Sequence, residues 1–183
     1  DGYIANVKTN SVTAKCKKLT MEKSTITGAL YCNANEVVAN NSAIHQFQVT
    51  GGNVTLNSCD FTNCVRIMLS KVNDSVIERV SFNNCKFSTL AGEAHFIRTD
   101  STDNTDIVEF SDCYIKYPSG TGFCNGCWAN KFILRNCVIE PEEGYYFAVV
   151  APKAKDVEFV MDCCTFRYSG TKMARFISAQ GST

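Results

Sequence analysis

Seven segments of this chain repeat one strand–turn–strand pattern, and no other feature of the sequence restricts its fold as much. They run Leu19–Ile26, Val37–Ile44, Val54–Phe61, Val80–Phe87, Val108–Ile115, Phe132–Ile139 and Phe159–Phe166. Taking the small residue after each turn as position zero, that slot holds Ser24, Ser42, Cys59, Cys85, Cys113, Cys137 and Cys164. Apolar residues stand five and three residues before it, and again two after it, as in Val80, Phe82 and Phe87 around Cys85. Each pair has period two, the mark of a strand with one buried face. The inward parity flips between the pairs, across two residues that are mostly Asn, Asp or Ser. A strand changes parity only at a bend, and Asn tolerates the left-handed backbone that such a bend needs.

The zero positions are 18, 17, 26, 28, 24 and 27 residues apart, so the later repeats carry longer loops. Further apolar segments lie between the units, at Phe47–Val49, Val65–Leu69, His95–Ile97, Tyr146–Val149 and Arg175–Ile177. Three short strands per turn predict a right-handed single-stranded parallel β-helix of about seven coils. The whole chain, 1–183, is expected to be one domain of this kind. Equal numbers of basic and acidic residues, 18 of each, leave no field to recruit nucleic acid. No apolar run approaches the roughly 20 residues of a membrane span. The polar tail Gln180–Thr183 is a poor cap for a solenoid, so more protein or a partner is expected beyond it.

The repeated Asn-Cys-x-Phe/Ile corner after two alternating apolar residues resembles the pectate-lyase-like right-handed β-helix superfamily over about residues 12 to 179. Polysaccharide lyases, polygalacturonases, phage tailspikes and bacterial surface proteins share that fold, so the resemblance bears on fold far more than on function. Polygalacturonase-like members use an Asn-Thr-Asp element, an Asp pair and a Gly-His-Gly. Here Asn104-Thr105-Asp106 has neither companion, and it reads as a solvated turn. Lyases of the superfamily use a calcium-binding acidic cluster with an Arg or Lys base. Asp100, Asp103 and Asp106 are weak candidates for calcium, at a spacing that matches no recognised loop. No complete catalytic set is present, and no cofactor is expected beyond that calcium.

Five of the eleven cysteines sit at position zero, where they are expected to act as small buried hydrophobes, side by side and unbridged. The others are Cys16, Cys32, Cys64, Cys124, Cys127 and Cys163. The one C-x-x-C, Cys124 to Cys127, reads as a structural turn or local disulfide, with metal or redox roles as alternatives.

The outward positions supply the remaining candidates. Lys116, Glu140 and Arg167 should stack as a charge ladder. Tyr114, Tyr117, Trp128, Tyr145, Tyr146 and Tyr168 are the candidate carbohydrate contacts, because aromatic faces suit sugar rings. Ile133, Val138 and Val160 are apolar where a solvated face is expected, which suggests a covering loop or a subunit contact. A homotrimer, as in the tailspikes this chain resembles, or another self-assembly would supply that contact. The expected function is a non-enzymatic structural or attachment module of a phage virion or bacterial surface, extracellular and glycan-binding. The alternatives are a lyase or hydrolase (or a fragment of one) acting on an acidic polysaccharide, and a purely architectural filament or capsid-decoration subunit.

Overall fold

The computed structural model describes residues 1–70, 77–88, 97–99, 105–117, 123–125, 129–141, 146–150, 157–168, 170 and 175–179. All regular elements among them are β-strands, and the strands pair in parallel. Three sets of strands curl about a shared interior. The first set begins at Gly2–Ala5 and passes through the C-terminal ends of Val12–Glu22 and Thr25–Asn40. It continues through Asn53–Asn57, Ile77–Asn83, Thr105–Ser111, Ala129–Arg135 and Glu158–Asp162. Its register pairs like positions of successive repeats: Val54 with Val80, Val80 with Val108, and Val108 with Phe132.

The second set follows each corner and includes Lys86–Phe87, Tyr114–Tyr117, Val138–Pro141 and Thr165–Phe166. The third set aligns Phe47 with Ile67 and Ile67 with Ile97, and later Tyr146–Val150 with Arg175–Ala179. The first of these segments continue the large sheet through Thr25–Asn40, and Cys124–Asn125, Tyr146–Val150 and Arg175–Ala179 form a separate three-stranded sheet.

The first set holds one strand more than seven repeats supply. Gly2–Ala5 pairs in register with Leu19–Glu22, and its corner is Asn6 with Val7 at position zero. Sequence comparison misses this unit because Gly2 and Thr9 stand where the other repeats carry larger apolar residues. The backbone makes it plain. Asn6, Lys23, Asn41, Ser58, Asn84, Asp112, Asn136 and Cys163 all have φ between 45° and 57°, each one residue before position zero. The bend inferred from parity is thus a single left-handed residue, and half of these are not Asn.

Repetition of the corner makes columns of like residues. Five before zero run Leu19, Val37, Val54, Val80, Val108 and Phe132; three before zero run Met21, Ala39, Leu56, Phe82, Phe110 and Leu134. All are buried in one continuous apolar cluster. Rings stack where the columns place them: Phe61 on Phe87 at 5.0 Å, Phe82 on Phe110 at 4.9 Å, and Phe132 on Phe159 at 4.9 Å. At the last repeat the same columns open to solvent, with Met161 42% and Phe166 43% exposed. No further described strand covers them.

Candidate functional site

Outward residues of the first strand set also form rows, and these rows build the most developed surface feature among the described residues. Two before zero, amides link repeat to repeat: Asn57 Nδ2 donates to Asn40 Oδ1 at 2.7 Å, and Asn83 Nδ2 to Asn57 Oδ1 at 2.9 Å. Six before zero, Lys18 pairs with Glu36 at 2.8 Å and Lys131 with Glu158 at 2.8 Å. Between these rows lies Glu109, whose carboxylate receives Arg79 from one neighbouring strand and Arg135 from the other. Its side chain is 12% exposed, whereas the two guanidiniums are about half exposed. One fixed carboxylate therefore holds two cationic groups at the surface, with donors to spare.

Beside this cluster a groove of about 480 Å³ crosses three strands, lined by Asn53, Thr55, Glu78, Arg79, Asp106 and Ile107. Asn53 braces it: Oδ1 accepts the Arg79 main-chain N–H at 2.9 Å, and Nδ2 donates to Glu78 Oε2 at 3.3 Å. On the far strand Asp106 Oδ1 accepts from Asn130 Nδ2 at 2.9 Å. The lining offers carboxylates, an amide, a hydroxyl and a guanidinium along one apolar side chain. That mixture can hydrogen-bond vicinal hydroxyls and cover a ring edge. Sequence reasoning missed the groove, since its residues lie one loop apart and only strand register unites them.

The structure corrects several expectations. Thr105 is buried and pairs with Ile77 and Ala129, so Thr105-Asp106 opens a strand and is not a solvated turn. Tyr117 is 1% exposed, with its ring 5.9 Å from that of Phe123, and burial pushes its hydroxyl pKa up. Four residues after zero has the same parity as zero itself, so the ring points inward and meets no ligand. Tyr168 occupies the same slot but lies in the last repeat, where it is exposed like Met161 and Phe166. Tyr114 does face outward, and its hydroxyl donates to Glu140 Oε2 at 2.6 Å. That bond holds the Glu140 carboxyl below its usual range and the tyrosine above its own.

The charge ladder is present: Lys116 registers with Glu140, and Arg167 meets Glu140 at 3.2 Å. Ile133 is 5% exposed and offers no open contact, while Val138 and Val160 are half-buried. Tyr146 begins a strand, whereas Trp128, Tyr145, Asp100 and Asp103 lie outside the described residues. Among the described residues no group of three or more His, Cys, Asp or Glu is placed to hold a metal ion.

Among the described residues Cys16, Cys32, Cys59, Cys64, Cys85, Cys113, Cys137, Cys163 and Cys164 are free thiols. At position zero the side chain has a definite task. The left-handed corner takes each zero-position N–H out of the strand ladder, and the next repeat supplies its acceptor. Val7 N–H donates to Ser24 Oγ at 3.2 Å, and Ser24 N–H to Ser42 Oγ at 3.1 Å. From Cys59 onward a thiol fills the same place beside the preceding zero-position main chain: Cys59 beside Ser42, Cys85 beside Cys59, Cys113 beside Cys85, Cys137 beside Cys113 and Cys164 beside Cys137. Each hydroxyl or thiol in turn donates to the carbonyl two residues back, as Ser42 Oγ does to Asn40 at 2.9 Å and Cys85 Sγ to Asn83 at 3.4 Å. Val7 is exempt, because no N–H from a described residue is aimed at it.

Successive thiols also influence one another along the column. The Cys85 thiol, then burial, pushes Cys59 up; the Cys137 and Cys85 thiols, then burial, push Cys113 up. Away from the column, burial pushes Cys32 and Cys64 up to about 12. Cys32 and Cys64 therefore stay protonated at neutral pH and are poor nucleophiles. Compared with protein-family models, curated proteins and solved structures, the chain matches none.

Proposed function

We propose that the chain is a right-handed parallel β-helix serving as a structural and attachment module at a virion or bacterial surface, holding a glycan on the outward face of its first strand set. The groove between Asn53, Glu78, Arg79 and Asp106 carries this reading. It is polar, open and braced by side-chain hydrogen bonds, and it lies on rigid strands, which keeps its donors and acceptors fixed in advance. A rod with regular outward rows suits attachment, because one face can contact several sugar units in succession. Val138 and Val160, half-buried at the outward face, are the proposed contacts for self-assembly, with a homotrimer as the leading form. The superfamily resemblance supports this placement at a surface.

A second reading is favoured by one observation: Glu78 and Asp106 line the same groove, and glycoside cleavage needs two carboxylates facing one bond. One experiment separates the two. The purified chain is incubated with a panel of neutral and acidic polysaccharides, following binding by calorimetry and product by reducing-end and unsaturated-end assays. Binding without product, weakened by E78Q and D106N, supports attachment. Product release abolished by either substitution establishes the enzyme, and failure to bind any member refutes both.

A further inference from the structure

We propose that the cysteine column is a binding site for soft, two-coordinate cations (Cu⁺, Ag⁺ or Hg²⁺), each held between the sulfurs of adjacent repeats. Cys59, Cys85, Cys113, Cys137 and Cys164 stand one per repeat in an unbroken line, each thiol donating to the carbonyl two residues back and so pointing the same way. The backbone holds that line in constant register. Lys86 N–H donates to Cys59 O at 3.0 Å, Tyr114 to Cys85 at 3.0 Å, Val138 to Cys113 at 2.9 Å and Thr165 to Cys137 at 2.8 Å.

Spacing selects the ion. Neighbouring strands lie about 4.8 Å apart. Two metal–thiolate bonds of about 2.3 Å laid end to end span about 4.6 Å. A linear S–M–S unit therefore fits between adjacent repeats with little movement of the backbone. A tetrahedral ion does not, since it needs more ligands than two, and no third or fourth one converges on any described sulfur pair.

Chemistry points the same way. The column is walled by the apolar cluster and offers hard cations only weakly exposed carbonyls, whereas thiolate is the preferred ligand of soft ions. With Hg²⁺ the reaction is 2 R–SH + Hg²⁺ → R–S–Hg–S–R + 2 H⁺. That product is neutral, as is the Cu⁺ or Ag⁺ unit formed by 2 R–SH + M⁺ → R–S–M–S(H)–R + H⁺, so neither is buried with the cost of an unpaired charge. The thiol hydrogen bonds to carbonyls, such as Cys85 Sγ to Leu56 O at 3.3 Å, are the bonds given up. Entry is at the open end of the column, where Cys164 is half-buried and Cys163 beside it is exposed. The site stops at Ser42, because a hydroxyl is a hard and weakly acidic ligand.

The test uses the full chain carrying C16S, C127S and C163S, titrated with Hg²⁺ and Ag⁺ against excess glutathione. Expected are about two Hg²⁺ per chain, roughly two protons released per ion, an ultraviolet charge-transfer band and a raised Tm, as native-state binding requires. Adding C85S and C137S leaves three column thiols but no adjacent pair; binding should weaken at least about tenfold and the Tm gain should vanish. Adding C113S alone leaves two adjacent pairs, and the Hg²⁺ stoichiometry should not change. Serine already fills this slot at Ser24 and Ser42, so these variants are expected to fold. Equal binding by the C85S/C137S chain, a Tm that falls on adding the ion, or no binding at all would overturn the proposal.

Discussion

The first repeats and the later ones solve the same corner with different atoms. At Ser24 and Ser42 a hydroxyl accepts the N–H of the preceding repeat at 3.2 and 3.1 Å, and the repeats are only 18 residues apart. From Cys59 onward sulfur takes that place, the loops lengthen, and the core changes from Met21, Ala39 and Leu56 to Phe82 and Phe110. A sulfur is a weaker acceptor but a larger and more polarisable one. The early repeats are therefore tied together by corner hydrogen bonds and tight turns, and the later ones by stacked rings and thiols. Gly51 and Gly52, at φ 87° and 68°, belong to the economical half: they let the third strand turn straight into the next repeat.

The largest test of that contrast is Phe110→Ala. The ring is wholly buried on Phe82, and its loss should cost about 3–5 kcal/mol by denaturant titration. In the first half the equivalent weak point is a turn. A side chain at Gly52 would meet the Asn35 main chain in a left-handed conformation, so Gly52→Ala should cost about 3 kcal/mol. A glycine-to-alanine change that left the unfolding midpoint unmoved would contradict the tight-turn account. Next comes the corner itself. Ser42→Ala leaves the buried Ser24 N–H without its acceptor and should cost about 1–3 kcal/mol. Ser42→Cys and Cys85→Ser exchange one acceptor for the other, and each should stay within about 1 kcal/mol. Should Ser42→Ala and Ser42→Cys prove equally costly, the slot would be one of size alone. The smallest effect is expected from relieving strain: Lys23→Asn at φ 45° should stabilise by about 1 kcal/mol.

Much of this was legible in the sequence because burial and parity are periodic. The corner columns, the inward cysteines and the Lys116–Glu140–Arg167 ladder follow from alternation alone. The first repeat was hidden, since Gly2 and Thr9 carry too little apolar surface to announce a buried position. Tyr117 was misplaced by reading position four as outward, although alternation itself puts it beside Cys113 and Ile115 on the inner side. The groove was invisible for a different reason. Asn53, Arg79 and Asp106 are brought together by register across loops of differing length, which local pattern does not encode. The need for Ser or Cys at zero was likewise read as packing, because the N–H that it satisfies belongs to another repeat.

The inward, unbridged column is tested most directly by counting thiols with a chromogenic disulfide reagent, native and then in guanidinium, with no reductant present. Cys59, Cys85, Cys113, Cys137 and Cys164 should all react once the chain is unfolded. In the native chain Cys163 should react at once, and Cys59, Cys85, Cys113 and Cys137 only on the timescale of unfolding. A column thiol that stays unreactive in guanidinium, or rapid native labelling of those four mapped by mass spectrometry, would contradict the buried column of free corner thiols.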